Sequence, residues 1–570
     1  MIHLAVLALL QGVPSTDGQW PLPGRDNAAT RYSPLRQITA ANAGRLRAVW
    51  SFSTGVLGGH EGQPLVVNNT MYVVTPFPNV LYAFDLTEEG FPLRFKYRPD
   101  VNPTAVGIAC CDAINRGASY ADGKIVYNLL DGHTVAVDAR TGRELWKTQI
   151  ASLGQGETTP MAPFIAGNRI IVGPSGGEFG IHGWVKALDL ATGRVLWTVH
   201  NMGTDSMMGI PAGHPLAGQS TPSWEGDSWK RGGAPVWGWI SYDADLDLIY
   251  FGTGNPGPYN TEQRPGDNKW TNSVLARRPR DGSLVWAYQF TPSDSWDYDA
   301  NAEMILADLT IGGRRRKVLV HFNKNGFAYT LDRATGELLV AEKFAHVTWA
   351  RGVDRRTGRP DVDTTKLTGA SRGNVTGICP SLEGGKSPVS ASAYSPRTGL
   401  FYSATNNLCM NFHAAPVTRI AGTPYIGAST PYTAGPGGHM GGFMAWDAVR
   451  GRKVWELHEK FPVWSGTVVT AGDVAFYGTL DGWFKAIDAR GGRELWKFKV
   501  GSGVVGAPIT FTGPDGKQYV AVYAGIGGDW FLLAGDVRSD DPADVRLPAD
   551  FAADLARYTS QGGIVWIFGL

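Results

Sequence analysis

Five segments of the chain repeat one pattern: AVDARTGRELW at 136–146, ALDLATGRVLW at 187–197, YTLDRATGELLV at 329–340, AWDAVRGRKVW at 445–455 and AIDARGGRELW at 486–496. In each, an Asp stands four residues before a Gly, and an apolar residue, usually Trp, stands four after it. Looser copies are ARRPRDGSLVW at 276–286 and YAFDLTEEGFPLRF at 82–95. An apolar strand ending at the Asp, a turn holding the Gly and a second strand ending on the Trp make a hairpin. A further strand pair precedes the copies, as in IVYNLLDGHTVAVD at 125–138 and VAFYGTLDGWFKAID at 474–488, with turns at Asp131–Gly132 and Asp481–Gly482. Each unit therefore holds four strands, and four-stranded repeats of roughly 40–50 residues are β-propeller blades.

The spacing gives a blade count. The repeats end at 146, 197, 286, 340, 455 and 496, with gaps of 51, 89, 54, 115 and 41. The widest gap has room for a degenerate blade, and SAYSPRTGLFYSATNN at 392–407 reads as its strand pair. Seven visible blades and one hidden predict an all-β, eight-bladed β-propeller of four-stranded blades with tryptophan-docking repeats. It forms a single domain over 17–570, with loop insertions near 200–235 and 345–390 on one face. Trp146, Trp197, Trp455 and Trp496 are assigned to packing between neighbouring blades.

Composition fits this fold. The 570 residues include 74 Gly, 35 Pro and 20 Trp, a turn-rich and aromatic balance. A net charge of +1 argues against a nucleic-acid partner. No apolar run is long enough to span a membrane. Residues 1–16 hold an apolar run, Ile2–Leu10, that is either a signal-peptide core or an ordinary apolar N-terminus, because no Lys or Arg precedes it. The four cysteines, Cys110, Cys111, Cys379 and Cys409, form no CxxC or CxxCH. This argues against a zinc site and against attached haem. They are either two neighbouring pairs, Cys110–Cys111 and Cys379–Cys409, in an oxidising compartment, or reduced buried thiols.

Four constellations outside the repeat carry chemistry. In TPSDSWDYDAN (291–301), Asp297 and Asp299 share one side of an extended segment. Paired carboxylates repel unless a proton or a hard cation lies between them; otherwise they make a solvated acidic turn. GPSGGEFGIHG (173–183) surrounds Glu178 with small residues, and YFGTGNPGPYN (250–260) offers the Asn255 amide oxygen. GIACCDAINRG (107–117) puts Arg116, a candidate carboxylate clamp, just after the adjacent cysteines, and GHEGQPLVV (59–67) adds Glu61.

Together these motifs resemble the pyrroloquinoline quinone (PQQ)-dependent methanol and ethanol dehydrogenases, of the lanthanide-dependent methanol dehydrogenase type. The resemblance runs from GRDNAATRYSPL (24–35) to VWSGTVVTAGDVAFYGTLDGWFKAID (463–488). It implies an eight-bladed propeller and a metal held by Glu178, Asn255, Asp297 and Asp299. It also implies a Cys110–Cys111 disulfide against one face of PQQ and Trp237 stacked on the other. Further cofactor contacts fall to Glu61, Arg116, Thr159, Ser175, Gly176, Gly177, Lys324 and Trp464. Asp299 stands where calcium-type members have a small residue, so the extra carboxylate favours a lanthanide(III) ion, with Ca²⁺ the alternative.

The resemblance further implies that the metal polarises the quinone as a Lewis acid. Asp297 then takes the alcohol's proton as general base, and hydride passes to PQQ C5. Electrons leave to a cytochrome c, in a periplasmic homodimer acting on methanol or other short primary alcohols. Three stretches depart from the family. Pro160–Met161–Ala162–Pro163 replaces a Thr-x-Ala-Pro run, leaving Thr159 as the nearest threonine. Ser387 follows Gly384–Gly385–Lys386 where a larger polar residue is usual, and GIGGDWFLLAGD (525–536) differs from the better-known methanol enzymes. The competing functions are a calcium-dependent alcohol dehydrogenase, a soluble aldose dehydrogenase using the same quinone, and a non-catalytic propeller scaffold.

Overall fold

The computed structural model describes residues 18–109, 111–528 and 549–570. The candidate leader 1–16, Cys110 and residues 529–536 of the divergent stretch lie outside them. The described residues are dominated by strands, and no helix among them exceeds the eight residues of Ala549–Ala556.

Each repeat builds one antiparallel sheet. In the second, Ala118–Ala121, Lys124–Leu129, His133–Asp138 and Glu144–Gln149 follow in sequence order across the sheet. The Asp of the repeat folds the last turn. Asp138 Oδ1 accepts the Arg140 and Thr141 amides, at 3.0 and 2.8 Å, and the Thr141 hydroxyl. Gly142 takes the left-handed φ of 75° that the turn requires. Trp146 is not the end of its strand, as the pattern predicts. It pairs with Ala136 just past a register shift, and the strand runs on to Gln149.

Eight sheets of this kind occur among the described residues, seven of four strands and one, that of the 486–496 repeat, of five because Tyr32–Ser33 joins it in parallel, and the chain is a β-propeller. The eighth is not where the spacing puts it. Ala393–Ser395 and Leu400–Asn406 pair with Gly441–Asp447 and Arg452–Glu459, so the 392–407 segment completes the sheet of the 445–455 repeat. The remaining sheet joins the two halves of the chain: Arg47–Ser53 pairs with Ile564–Gly569, followed by Gln518–Ala524 and Ile509–Thr512. Its outer strand carries Trp50 in RAVW, which resembles the end of the repeat without a Gly four residues before the Trp and sits far from its partners in sequence.

Neighbouring sheets meet through the repeat residues. A Cβ on Gly193, Gly282, Gly336 or Gly492 would lie 2.5–2.9 Å from Trp146, Trp197, Trp286 or Trp455, so only glycine admits each indole. The inner strands, such as Thr70–Val74 and Leu248–Gly252, are buried along their whole length because sheets cover both faces. The 345–390 and 408–434 segments add a small extra sheet, in which Asn374–Ile378 and Leu408–Ala414 pair, and a Cys379–Cys409 disulfide closes its base.

Candidate active site

The chemistry-bearing residues share one edge of the sheets, and the topology explains why. In an antiparallel sheet the start of the first strand and the end of the second lie side by side. Arg116, Trp237 and Asp299 precede the first strands Ala118–Ala121, Ile240–Asp243 and Ile305–Ile311. Glu178, Asn255 and Lys324 follow the second strands Arg169–Val172, Leu248–Gly252 and Arg314–Phe322. They converge on a cleft of about 920 Å³, counted out to its open mouth.

The floor of the cleft is a buried ionic cluster. Lys324 Nζ donates to Asp297 Oδ2 at 2.9 Å and to Asp299 Oδ2 at 2.8 Å. Asp299 Oδ1 accepts the Asn255 amide at 2.7 Å. Asp297 Oδ1 and Asn255 Oδ1 are buried with no hydrogen-bond partner among the described residues. Burial raises the Asp297 carboxyl well above the usual range; Lys324 opposes this, and the like charges of Asp299 and Glu178 add to it. Burial disfavours the charge on Lys324, but the carboxylates of Asp297, Asp299 and Glu383 outweigh it and hold the ammonium. Glycines make the close approach possible. A Cβ on Gly177 would lie 2.4 Å from Asn255 Oδ1, and one on Gly254 would lie 2.7 Å from Asp299 Oδ1.

The wall is aromatic and cationic. Arg116 pairs with Glu61 at 3.0 Å, donates to the Trp237 carbonyl at 3.2 Å and lies 4.8 Å from the Trp237 ring centroid. Cys111 and Ser175 also line the cleft. Gly176 has a φ of 126°, and a Cβ there would lie 2.2 Å from the Gly156 carbonyl.

Two predicted contacts are not among the residues that line the cleft. Thr159 is fully buried and donates to the Leu129 carbonyl at 2.7 Å, and Thr158 lines the cleft instead. Trp464 is buried in a core cluster with Leu480, Val505 and Ile526. The sequence reasoning passed over Asp112, which accepts the Gly59 and Gly528 amides at 3.3 and 2.9 Å. It also passed over Glu383, a buried acid on the cleft wall that accepts the Tyr432 hydroxyl at 3.1 Å. A signal for Glu383 exists: SLEGG places a carboxylate beside paired glycines, as GGEFG does for Glu178.

The donor set fits a hard cation. It offers carboxylate and amide oxygens and no soft ligand, two of the oxygens are orphaned, and glycines shape the cradle. Among the described residues no three acidic, His or Cys groups converge on one point; Lys324 Nζ lies between Asp297 Oδ2 and Asp299 Oδ2. A flat aromatic wall next to an Arg–Glu pair fits a planar anionic cofactor. The fold and site thus define a propeller with a cation-type oxygen site beside an aromatic slot.

Comparison with known proteins gives this class its family. Residues 20–348 and 458–520 match the family model "PQQ: Glucose/ethanol/alcohol dehydrogenase, beta-propeller domain". The chain is 49% identical to a lanthanide-dependent methanol dehydrogenase of Methylacidiphilum fumariolicum (strain SolV), over 97% of this chain and 92% of that protein. It is 45% identical to a lanthanide-dependent methanol dehydrogenase of Methylorubrum extorquens, over 100% and 96%. A solved europium-containing methanol dehydrogenase superposes with a TM-score of 0.93 at 48% identity, over 97% of this chain and 98% of that one. The chain belongs to the PQQ-dependent alcohol dehydrogenases, and within them to the lanthanide-dependent methanol dehydrogenase type.

Proposed function

We propose that the protein oxidises methanol or another short primary alcohol to the aldehyde, with PQQ and a lanthanide(III) ion, and passes the electrons to a cytochrome c. The observation that carries this reading is the pair of orphaned oxygens, Asp297 Oδ1 and Asn255 Oδ1, beside Asp299. Glu178, Asn255, Asp297 and Asp299 would hold the ion. Glu61, Arg116, Ser175, Gly176, Gly177, Trp237, Lys324 and the adjacent cysteines Cys110 and Cys111 would hold the quinone; Thr158 is a better-placed threonine than Thr159. When bound, PQQ supplies the two-electron acceptor and the ion supplies Lewis acidity.

The chain's own part is electrostatic and acid–base. Asp297, which lines the cleft, would accept the alcohol's hydroxyl proton. Asp299 adds a second carboxylate, which favours a trivalent over a divalent ion. Lys324 Nζ, which donates to Asp297 and Asp299 and lines the same cleft, would also reach the cofactor. Trp237 and Arg116 fix the plane of the wall.

The reading extends to the setting. The eight sheets are taken as eight blades of one domain over 17–570, docked through their tryptophans. The Trp–Gly contacts and the 47–53/564–569 pairing support this. A periplasmic location suits the Cys379–Cys409 disulfide. No helix among the described residues is long and apolar enough to cross a membrane. A homodimer is carried over from the resemblance.

The deciding test is dye-linked methanol oxidation by chain reconstituted with PQQ and either La³⁺ or Ca²⁺, repeated for Asp299→Ala. Activity with La³⁺ that the variant loses is the expected result. Activity with Ca²⁺ alone would keep the quinoprotein and discard the lanthanide. No activity with either, and no PQQ binding, would discard the enzyme in favour of a scaffold.

A further inference from the structure

Three of the four oxygen donors for the ion stand on two separate loops, and the fourth, Glu178, stands on 173–183. Asn255 is on 253–260, and Asp297 and Asp299 are on 291–301. Asp297 has a φ of 68°, a left-handed conformation that non-glycine residues rarely hold and that must be enforced by what surrounds it. One carboxylate does this. Asp294 Oδ1 accepts the Trp296 amide and its Oδ2 accepts the Tyr298 amide, each at 3.0 Å. Those are the amides on either side of Asp297. Asp294 is 1% exposed, so this bracket works away from competing water.

A second buried group ties that loop to the other. Arg264, also 1% exposed, donates Nε to the Pro258 carbonyl at 2.6 Å, in the Asn255 loop. Its Nη2 donates to the Asp294 carbonyl at 2.5 Å, in the Asp297 loop, and its Nη1 to Asn268 Oδ1 at 2.7 Å. A planar guanidinium with fixed donor directions sets a distance between loops in a way that a flexible ammonium does not. Neither Asp294 nor Arg264 lines the cleft.

We propose that Asp294 and Arg264 are positioning residues that fix Asn255 against Asp297 and Asp299 and thereby set the affinity of the site for a trivalent cation. The inference rests on the metal reading above. Ion binding is sensitive to donor placement of a few tenths of an ångström, and partners that orient the ligands commonly control affinity 10–100-fold. The loop has independent anchors that hold its overall course. Ser295 Oγ meets Thr368 Oγ1 at 2.6 Å, Trp296 Nε1 donates to the Lys366 carbonyl at 2.8 Å, and Tyr298 Oη donates to the Pro380 carbonyl at 2.7 Å. Loss of the bracket therefore alters the Asp297 geometry without unfolding the loop.

The test uses full chain loaded with PQQ, dialysed to equilibrium against graded La³⁺, with bound metal counted by mass spectrometry. Asp294→Asn keeps the side-chain size but turns one acceptor into an amide donor facing a backbone N–H. Its La³⁺ dissociation constant is expected to rise about 10–100-fold, with PQQ retained and the melting midpoint of the metal-free chain little changed. Arg264→Lys, which cannot serve three acceptors, is expected to move in the same direction. Parent-like La³⁺ affinity in both variants would overturn the proposal. So would loss of PQQ together with a collapsed melting midpoint, which marks a general structural role. Asp299→Ala, run alongside, separates the two levels. If it too binds La³⁺ like the parent, the metal reading has failed. If it alone loses the ion, only the positioning inference has.

Discussion

Two buried lysines in this propeller keep very different company. Lys386 pairs with Glu303 Oε2 at 3.0 Å, and the other oxygen, Oε1, accepts the Ser392 amide at 2.8 Å. His321 completes that cluster, with Nδ1 on the Glu303 carbonyl and Nε2 on Asn323. Positive charge at least matches the one carboxylate, since Arg31 also interacts with Glu303, and both carboxylate oxygens are used. Lys324 faces two aspartates, with Glu178 and Glu383 on the same cleft, and leaves one Asp297 oxygen unmatched. A balanced buried pair contributes structure. A buried surplus of carboxylate is tolerated where a cation is to be received, and its cost in the metal-free chain is part of the function.

Breaking the surplus cluster should show first in catalysis. Asp297→Asn removes the proton acceptor and is expected to lower kcat by about 10²–10⁴-fold, measured by dye-linked assay at saturating metal. The metal-free chain should melt no lower than the parent, because a repelling charge has gone. Breaking the balanced cluster should do the reverse. Lys386→Met strands Glu303 in the interior and should destabilise by about 3–5 kcal/mol. The denaturant midpoint reads this, while La³⁺ affinity stays at the parental value. An equal loss of La³⁺ affinity in Lys386→Met would erase the distinction between the clusters.

Two smaller effects sharpen it. Asp299→Ala should weaken La³⁺ binding by at least about tenfold, or about 1.4 kcal/mol, and weaken Ca²⁺ binding less. Parallel dialysis against the two ions checks this. Part of the pH response belongs to the balanced cluster. Burial lowers the His321 pKa from an ordinary 6.5 to about 3. Below about pH 6.5 the unfolded chain takes a proton that the folded chain refuses. Stability therefore falls as pH drops towards 3, by about 1.4 kcal/mol per pH unit for this one group. His60 and His182, each lowered to about 4 mainly by burial, add to the slope in the upper part of that window. His321→Gln should flatten the slope by one proton's share, read from denaturant melts between pH 6.5 and 4.

The sheet architecture was legible because a strand pairing of short sequence range writes itself into spacing. Asp138, Gly142 and Trp146 sit in one hairpin, and their separation is the turn geometry itself. The sheet formed by both ends of the chain was missed for the same reason. Trp50 ends RAVW, which resembles only the end of the repeat, and the strand it pairs with lies more than five hundred residues away. Assigning 392–407 to a hidden blade was the corresponding error: spacing alone cannot say that a long insertion interrupts one sheet between its second and third strands. In the site, Glu178 and Asn255 were visible because glycines crowd around them, and Asp299 because it stands two residues from Asp297. Asp294 was not singled out, because it looks like one more acid in SDSWDYD. Its role depends on which amides its carboxylate meets, and composition does not carry that.

The pairing of Arg47–Ser53 with Ile564–Gly569 has a consequence for biosynthesis. The outermost strand of that sheet and the strand beside it are made more than five hundred residues apart. The ring therefore stays open over that whole interval of synthesis, with the edges that Ile564–Gly569 will join exposed. Closure is a late event of very high contact order, so a chain stalled or clipped before residue 564 would carry two unpaired edges at once. The seam of the ring makes closure conditional: Arg47–Ser53 cannot come to rest in its sheet until Ile564–Gly569 has been made.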